Sequence, residues 1–380
     1  MSGEGKRAAL LAATAICLCL ATSPAAAGEE TGVGDKLAKF TKGEKITLEN
    51  RAFIRYWYNV QDSAVQGDGE KEPHANSFEL WRYYFGAKAQ VTPWLKARFT
   101  TDVGSDSAQT STAADDGHSH KNPGEPRYGV YVRYAWLQAE LMDNLCLRAG
   151  VIDNPYHSST DKMWGYRYVF KNIGDEEKLW KSADAGAYLR YDLPSDFGYV
   201  VLGAVNGSGY KKFEDTDSAK NMLLQTWLQP LKAMGGFGDG LVVGAYVDYT
   251  LGSGDHEDTR LVYTGLAGYQ SDIVTVVYQM VGQELEVAGS DDSVSGLGHG
   301  AYVRLDSPWK VGLLGRFIMW DADTSSDANR SKQQILAGVS YTPVPLLSIA
   351  TSGLYTSWSE IEGDPLEEEI TLMVNTEMKF

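Results

Sequence analysis

The sequence predicts an all-β protein, namely a closed antiparallel transmembrane β-barrel of about 16 strands with short periplasmic turns and long extracellular loops. Three observations predict this fold. The N-terminal stretch has the organisation of a secretory signal peptide, apolar and polar residues alternate along many short segments, and long connections alternate with short ones. A sheet of this size has to close on itself in lipid, because lipid cannot satisfy the hydrogen bonds of an open edge.

The N-terminal segment is typical of a secreted protein. Lys6 and Arg7 precede a continuous apolar run from Ala8 to Leu20, and Ala25-Ala26-Ala27 supplies the small residues that a signal peptidase recognises. The apolar run is too short to span a membrane as a helix. The predicted organisation is a cleaved signal peptide at residues 1–27, a periplasmic N-terminal segment at 28–44 and a barrel at 45–380.

The composition narrows the class of protein. The formal net charge is −16, which argues against a nucleic-acid partner. No stretch after residue 27 approaches the run of about 20 apolar residues that a membrane-spanning helix requires. Cys17 and Cys19 belong to the predicted signal peptide, which leaves Cys146 without an intramolecular partner and predicts a fold without disulfides.

The predicted strands place apolar residues at every second position, which is the pattern of a strand with one face in lipid and one in water. The exception is 197–208, where both faces are apolar and the pattern does not assign the sides. In the last segment Ile370, Leu372 and Val374 alternate with polar residues, and the segment ends on Phe380, as the terminal strand of an outer-membrane barrel does. The alternative for this segment is an amphipathic edge strand of a soluble sandwich. The predicted strands are 46–60, 81–91, 95–103, 128–141, 145–153, 182–193, 197–208, 220–231, 241–252, 258–270, 272–285, 296–306, 309–320, 331–342, 346–358 and 370–380. The aromatic belts at the two lipid interfaces are predicted to contain Tyr56, Tyr58, Trp81, Tyr83, Tyr249, Tyr341 and Phe380.

The connections between the predicted strands alternate in length along the chain. Those after odd-numbered strands are long and polar, as in 61–76 and 106–127, whereas those after even-numbered strands are tight, as in Thr92-Pro93 and Ser307-Pro308. Outer-membrane barrels have long loops outside and short turns in the periplasm, and a soluble sandwich has no reason to segregate loop length in this way. The sequence therefore favours a barrel in the bacterial outer membrane with both termini in the periplasm.

Four short motifs occur in order in the middle of the chain. Leu147-Arg148-Ala149-Gly150 leads to a loop opened by Asn154-Pro155, and Ser182-Ala183-Asp184-Ala185-Gly186 leads a strand pair that ends with Asn206-Gly207. In this order the motifs, which extend over roughly residues 148–209, resemble the phosphate-selective porin O and P family, a group of sixteen-stranded bacterial outer-membrane porins. The resemblance implies trimers and the diffusion of small anions.

Basic residues dominate the face of the predicted strands that points into the barrel. The predicted channel-lining arginines are Arg51, Arg55, Arg82, Arg98, Arg133, Arg148, Arg190, Arg304 and Arg316. Inward acids are fewer, so the wall is expected to be net positive, while the compensating acids lie in the long loops. Fixed positive charge in a narrow aqueous pore favours anions. The alternative is that these arginines pair with inward acids and tyrosines and stiffen the wall.

The third long loop, residues 154–181, is unusually aromatic and basic. Its aromatic side chains predict that it packs against another surface, and its place in the chain is that of a loop that folds into the barrel. The predicted channel constriction consists of Lys162, Arg167, Lys171 and Lys178. The alternatives are a cap over the mouth or a subunit contact. Asp175, Glu176 and Glu177 weaken the case for a phosphate site in this loop.

No residue pattern predicts an enzyme or a cofactor. Nothing places a nucleophile beside a base, and there is neither a glycine-rich phosphate loop nor a haem-attachment motif. His118 and His120 lie beside Asp115 and Asp116, but a solvated loop is the favoured interpretation over a metal site.

The sequence therefore predicts an outer-membrane porin for the passive diffusion of small hydrophilic solutes, with a mild anion preference. The expected partners are outer-membrane lipid and lipopolysaccharide, small anions or other small solutes, and further copies of the chain in a homotrimer. No nucleic acid, metal or cofactor is expected. The alternative is a barrel sheath that encloses a partner protein, such as a secreted multihaem cytochrome, and such a sheath would lack an inward constriction loop.

Overall fold

A computed structural model describes the chain at residues 46–61, 74–106, 127–212, 215, 218–251, 258–286, 293–324, 331–359 and 367–380. The predicted signal peptide, the segment 28–44 and the histidines at 118 and 120 lie outside these residues. Within the described ranges, no three His, Cys, Asp or Glu side chains come together as a metal site. No helix in the same ranges is long and apolar enough to cross a membrane.

Sixteen strands account for most of the described residues. In chain order they are β1 (Ile46–Gln61), β2 (Asn76–Thr92), β3 (Leu95–Asp106), β4 (Arg127–Met142), β5 (Leu145–Asp153), β6 (Ala183–Asp192), β7 (Gly198–Val205), β8 (Lys220–Leu228), β9 (Leu241–Leu251), β10 (Thr259–Gln270), β11 (Val274–Glu286), β12 (Ser293–Asp306), β13 (Val311–Asp321), β14 (Lys332–Val344), β15 (Leu347–Trp358) and β16 (Glu367–Lys379). The helices α1 (Pro155–Trp164) and α2 (Ile173–Glu176) both lie between β5 and β6.

Hydrogen bonding closes the strands into one antiparallel barrel. Each strand pairs with its neighbours in sequence, and β1 pairs with β16 in a register that places Tyr56 opposite Val374. Closure pairs both edges of every strand, which is what a sheet in lipid requires. The predicted fold class is confirmed.

The outer face of the barrel is apolar. In β13, Leu313 and Phe317 point outward and are exposed, while the residue after each, Leu314 and Ile318, points inward and is buried. The same outward exposure of large apolar side chains recurs around the barrel, for example at Leu224 in β8. Such a surface is suited to contact with lipid.

Two strands end earlier than the alternation predicts, at Val205 in β7 and at Leu228 in β8. Pro230 follows the second of these ends, and proline has no backbone N–H with which to continue the ladder. The chain instead forms short 3₁₀ turns at Lys232–Met234 and Gly236–Gly240. The prediction that these strands reach residues 208 and 231 is therefore wrong, although both strands are present.

The side chain of Trp81 lies inside the barrel. The register between β1 and β2 shifts so that Phe53 opposes Arg82 and Ile54 opposes Leu80, which leaves Trp81 as an extra residue in a bulge. Its ring lies 3.7 Å from the guanidinium carbon of Arg55, which points inward. The prediction that Trp81 belongs to an outer aromatic belt is wrong, because the bulge breaks the period-2 alternation at this point.

Leu224→Arg should destabilise the barrel. Leu224 lies in the middle of β8, points outward and is 45% exposed. An arginine there would be placed in lipid, at a cost of about 2–4 kcal/mol. The same substitution at Tyr249, close to the long-loop end of β9, should cost about 0–1 kcal/mol because it lies near the interface. Denaturant unfolding in lipid vesicles measures both values, and equal effects would contradict the lipid-facing position of Leu224.

Candidate functional site

Residues 154–181 fold into the barrel and begin with a capped helix. The side-chain oxygen of Asn154 accepts hydrogen bonds from two backbone N–H groups in the first turn of α1, at 3.0 and 3.1 Å. Pro155 suits the first helical position, whose N–H would have no helical acceptor. The helix ends at Gly165, which has a left-handed φ of 76°. The Asn154-Pro155 motif of the sequence is therefore a helix start.

The second helix, α2, folds back on α1. Asn172 caps α2 by accepting a hydrogen bond from the N–H of Asp175 at 3.1 Å. The amide nitrogen of Asn172 also donates to Asp161 Oδ1 in α1, at 2.8 Å. One asparagine thereby fixes both the start of α2 and its position beside α1.

Apolar packing holds the inserted loop against one side of the inner wall. One buried cluster joins Tyr156, Ile173, Leu179 and Trp180 of the loop to Leu223, Tyr246, Val262, Val281, Ile318 and Trp320 of the wall. A second joins Met163, Trp164, Tyr166, Tyr168 and Val169 to Val242, Leu266, Val277, Tyr302, Leu314 and Leu336. These wall residues belong to β8–β14, so this side of the lumen is filled by protein. The two clusters also continue onto other strands, through side chains such as Trp136, Tyr188 and Phe53.

Buried polar groups add directional contacts to this packing. The hydroxyls of Tyr156 and Thr264 are 3.1 Å apart, and Gln279 Nε2 donates to the Tyr156 oxygen at 3.2 Å. The backbone N–H of Ile173 donates to the hydroxyl oxygen of Tyr302 at 2.8 Å. A buried polar group left without a partner is costly, so these bonds favour a single position of the loop.

Two of the predicted wall arginines hold the loop backbone. Arg55 Nη2 donates to the carbonyl of Val169 at 2.8 Å, and Arg316 Nη1 donates to the carbonyl of Lys171 at 2.6 Å. Phe170 lies between these carbonyls, 4.3 Å from the guanidinium carbon of Arg316. Hydrogen bonds from charged donors contribute about 1.5–3 kcal/mol each. Both arginines are buried, and they anchor the loop.

Arg167, predicted to lie at the constriction, forms ion pairs within the loop. Its guanidinium lies 2.8 Å from a carboxylate oxygen of Asp175 and 3.4 Å from one of Asp161. Burial acts to raise the pKa of Asp175, but the charged groups around it, Arg167 foremost, together outweigh burial and hold that pKa well below its usual range. Asp175 is therefore ionised, and the charge of Arg167 is offset by carboxylates.

A cavity of about 1070 Å³ lies between the inserted loop and the opposite wall. It extends from the turn end of the barrel, at Leu346 and Phe380, to the middle of the barrel, at Thr100 and Arg133. Residues of α1 form one side, and residues of β1–β6 form much of the other. A water molecule in the liquid occupies about 30 Å³, so the cavity has room for a hydrated ion.

Most of the predicted wall arginines pair with carboxylates. The pairs are Arg51–Glu377, Arg55–Glu79, Arg82–Asp102, Arg98–Glu49, Arg148–Asp153, Arg190–Asp192 and Arg304–Asp306. Some also stack on aromatic rings, as Arg190 does on Tyr199 at 3.7 Å and Arg148 on Trp136 at 4.2 Å. These contacts are the ones expected if the arginines stiffen the wall.

Arg133 differs from the other cavity-lining arginines. It is 8% exposed and stacks on Tyr84 at 4.5 Å. The register of β3 and β4 shifts between Thr100 and Thr101, so Arg133 is the extra residue of a bulge. Within the described part of the chain it makes no ion pair, and its Nε has no hydrogen-bond partner. Arg133 thus places a buried positive charge at the cavity, and no carboxylate of the described residues pairs with it.

The lysines predicted at the constriction differ in position. Lys162 is exposed in the last turn of α1 and lines the cavity. Lys171 offers its backbone carbonyl to the wall, and Lys178 is exposed with a left-handed φ of 58°. The role of these residues in conduction stays a prediction, and the geometry favours Lys162 among the lysines as a contact for a passing ion.

Residues 206–212 form a second inward segment, which the sequence pattern did not predict. Tyr210 in this segment donates a hydrogen bond to the carboxylate of Asp102 on β3. The segment follows the Asn206-Gly207 motif, which could have marked it as an ordered turn. Nothing in the local alternation indicates where the tyrosine points.

No protein-family model matches the chain, and no curated protein matches it. Its fold is similar to several solved structures. In-vitro folded OmpT of Vibrio cholerae, an outer membrane protein in a trimer form, is 13% identical with a TM-score of 0.56, and the match covers 88% of this chain and 100% of that one. Pseudomonas putida OprB at high pH is 8% identical with a TM-score of 0.60, covering 92% and 98%. Salmonella typhi OmpF in complex with daunomycin is 12% identical with a TM-score of 0.55, covering 88% and 97%.

These similarities concern the fold. They agree with the closed barrel of the structure and, together with its apolar outer face, support the predicted outer-membrane location. The resemblance to the phosphate-selective porin O and P family stays a prediction, because no family model matches.

Gly174→Ala should loosen the inserted loop. A Cβ at Gly174 would overlap the indole ring of Trp180, which packs in the buried cluster. Overpacking of this kind costs about 1–3 kcal/mol. Gly265→Ala is the control, because a Cβ there meets nothing within 4 Å. The unfolding midpoint in detergent should fall for the first variant alone, and an unchanged midpoint for Gly174→Ala would contradict the packing of α2.

Acidification should weaken the loop through His157. Its imidazole is buried, with Nε2 3.2 Å from Asp161, and Arg167, Asp175 and Arg133 are the other charged groups nearby. Burial lowers the pKa of His157, so the stability contributed by the neutral ring is present above the ordinary histidine pKa of about 6.5 and is lost as the pH falls below it. Unfolding midpoints at neutral and mildly acidic pH measure this effect. His157→Gln should show a smaller decrease than the wild type, and an equal decrease would assign the effect to other groups.

Proposed function

We propose that the protein is an outer-membrane porin for the passive diffusion of small hydrophilic solutes, with a weak to moderate preference for anions. The observation that carries the proposal is the cavity between the inserted loop and the arginine-bearing wall, in which Arg133 has no carboxylate partner within the described residues. Solutes would pass along this side of the barrel, because the other side is filled by the loop.

The anion preference follows from the balance of charge around the cavity. An arginine beside a carboxylate is close to neutral at a distance, so the paired arginines contribute little net field. The buried charge of Arg133 is confined between low-dielectric walls, where salt screens it less than it screens charge at an open mouth. Glu49, Asp153 and Asp161 line the same cavity, so we propose a general preference for anions rather than selectivity for phosphate.

A sheath around a partner protein is not supported. Such a barrel needs an empty lumen, whereas residues 154–181 occupy much of this one with buried side chains such as Tyr156 and Val169. The arrangement also suits a non-enzymatic channel, since most of the charged groups at the cavity are engaged with one another or with aromatic rings.

Assembly and surroundings form part of the same proposal. We propose a homotrimer, which the trimer form of the Vibrio cholerae neighbour supports by analogy. The exposed apolar residues of the outer face would contact outer-membrane lipid, and lipopolysaccharide would contact the long loops. Cross-linking in native outer membranes tests the trimer, and a monomer as the sole species would overturn it.

Arg133→Gln should shift ion preference toward cations. The test is the zero-current potential of the reconstituted channel across a salt gradient. Removing a charge confined in the lumen should lower the anion-to-cation permeability ratio about two-fold or more, a change of a few tenths of a kcal/mol in relative ion free energy. Arg51→Gln is the matched control, because the Arg51 side chain is 47% exposed and its partner Glu377 keeps a second cation, Lys379, at 3.0 Å.

Three outcomes of these recordings would contradict parts of the proposal. A wild-type channel without conductance would overturn the proposed function. A cation-selective wild type at high salt would mean that carboxylates such as Asp161 control the constriction. Equal shifts for Arg133→Gln and Arg51→Gln would show that Arg133 has no special place in the path.

A further inference from the structure

The chain after β7 turns into the lumen at a site organised by one carboxylate. Asp184 on β6 accepts hydrogen bonds from the backbone N–H groups of Ala185 and Gly207, each at 2.7 Å, and a further one from Gly209. Gly207 and Gly209 have φ angles of 90° and 83°, which L side chains rarely adopt. The turn at 206–209 is therefore fixed by Asp184 and by its two glycines.

The turn directs Tyr210 across the inside of the barrel. Its backbone N–H donates to the carbonyl of Ala183 at 3.0 Å, and its ring meets that of Tyr131 edge-on, with centroids 6.4 Å apart. Its hydroxyl donates to Asp102 Oδ2 on β3, and Arg82 Nη1 donates to the same oxygen at 3.2 Å. A residue that follows β7 thus contacts the inner faces of β3 and β4.

These contacts lie at the long-loop end of the cavity. The cavity lining includes Thr100 on β3, and Asp102 is the next inward position toward the long loops. Tyr84, which pairs with Asp102 in the sheet, carries the stacked guanidinium of Arg133. Tyr210 and Asp102 are therefore next to the arginine on which the proposed anion preference depends.

Three buried atoms in this group are unsatisfied within the described residues, namely Arg82 Nε, Asp102 Oδ1 and Arg133 Nε. Asp102 Oδ1 and Arg133 Nε each have no hydrogen-bond partner within the described residues, although a carboxylate and a guanidinium would pair readily. Asp102 is fully buried and is held through its other oxygen by Arg82 and Tyr210. The carboxylate of Asp102 is therefore engaged by Tyr210 and Arg82, and Arg133 makes no ion pair with it among the described residues.

We propose that Tyr210 determines the ion selectivity of the channel in two ways. It keeps Asp102 paired with Arg82, which leaves Arg133 free to meet anions. Its side chain also covers the outer end of the cavity. The proposal rests on the proposed porin function. Tyr210 is a positioning residue for the charge balance, and its ring is part of the barrier.

Removing the hydroxyl tests the first role. In Tyr210→Phe the ring remains, but Asp102 loses one of its two donors and can turn toward Arg133. The anion-to-cation permeability ratio should fall at least two-fold, with little change in conductance. Adding Asp102→Asn to this variant should restore the ratio, because the carboxylate that neutralises Arg133 is gone. A purely structural role would lower the unfolding midpoint of Tyr210→Phe and leave the permeability ratio unchanged in both variants.

Tyr199→Phe is the matched control for loss of a hydroxyl. Tyr199 lines the same cavity, but its hydroxyl lies near Ser159 and accepts from Gln225, far from Asp102 in the sheet. Its permeability ratio should equal that of the wild type. A change as large as that of Tyr210→Phe would overturn the assignment to Tyr210.

The covering role is tested without electrical recording. Thr100→Cys is placed in a Cys146→Ser background, and a membrane-impermeant thiol reagent with a sulfonate group is applied from outside intact cells. Adding Tyr210→Ala should raise the rate of modification several-fold. Equal rates, or no modification in either variant, would overturn the barrier role. The two proposals can fail separately. If Tyr210→Ala raises the rate of thiol modification but the wild-type protein shows no conductance in the bilayer, the proposed porin function is wrong and the barrier role of Tyr210 stands.

Discussion

The lumen depends on the packing of residues 154–181 against the inner faces of β8–β14. A sixteen-stranded barrel without such an insert would leave a wide aqueous channel. Ile173 of the loop and Val281 of the wall have no measurable exposure, so water is excluded from their contact. Burial of each such side chain contributes about 1.5–3 kcal/mol. Because the loop occupies one side of the lumen, water and mobile ions are confined to the other side, where most of the arginines lie.

This confinement decides what each arginine can do. A guanidinium without water needs hydrogen-bond acceptors, since unpaired burial of charge is costly. Arg55 and Arg316 find them in loop carbonyls, and Arg148 finds them in Asp153 and Gln138. Arg133 is tolerated with fewer partners because it borders the cavity and rests on the face of Tyr84. The surroundings of each arginine therefore decide its role. Some arginines hold the inserted loop, others pair with wall carboxylates, and Arg133 directs its charge to the cavity.

Alternation and loop length were enough to predict the strands and their number, and the aromatic side chains of residues 154–181 predicted that this loop packs against another surface. Each of these is a property of the local pattern. The lining was harder to predict for two physical reasons. A bulge adds one residue without a distinct signal, and this changed the direction of Trp81 and set the position of Arg133. Lipid and an inserted loop also demand the same apolar side chains: Val276 faces lipid and Val277 faces the loop, so β11 is apolar on both sides.

The motifs that carry the resemblance to a porin family position the two inward segments of the chain. Asn154-Pro155 starts the helix that enters the lumen, and Asp184 with Gly207 fixes the turn that directs Tyr210 inward. Both motifs lie at the base of an inward segment, where a side-chain oxygen binds backbone N–H groups that would otherwise lack partners. Among the motif residues, Arg148 lines the cavity but is paired with Asp153, whereas Arg133 lies outside the motifs. A chain can therefore keep the motifs, and with them the position of both segments, while charges that face the cavity change elsewhere along the strands.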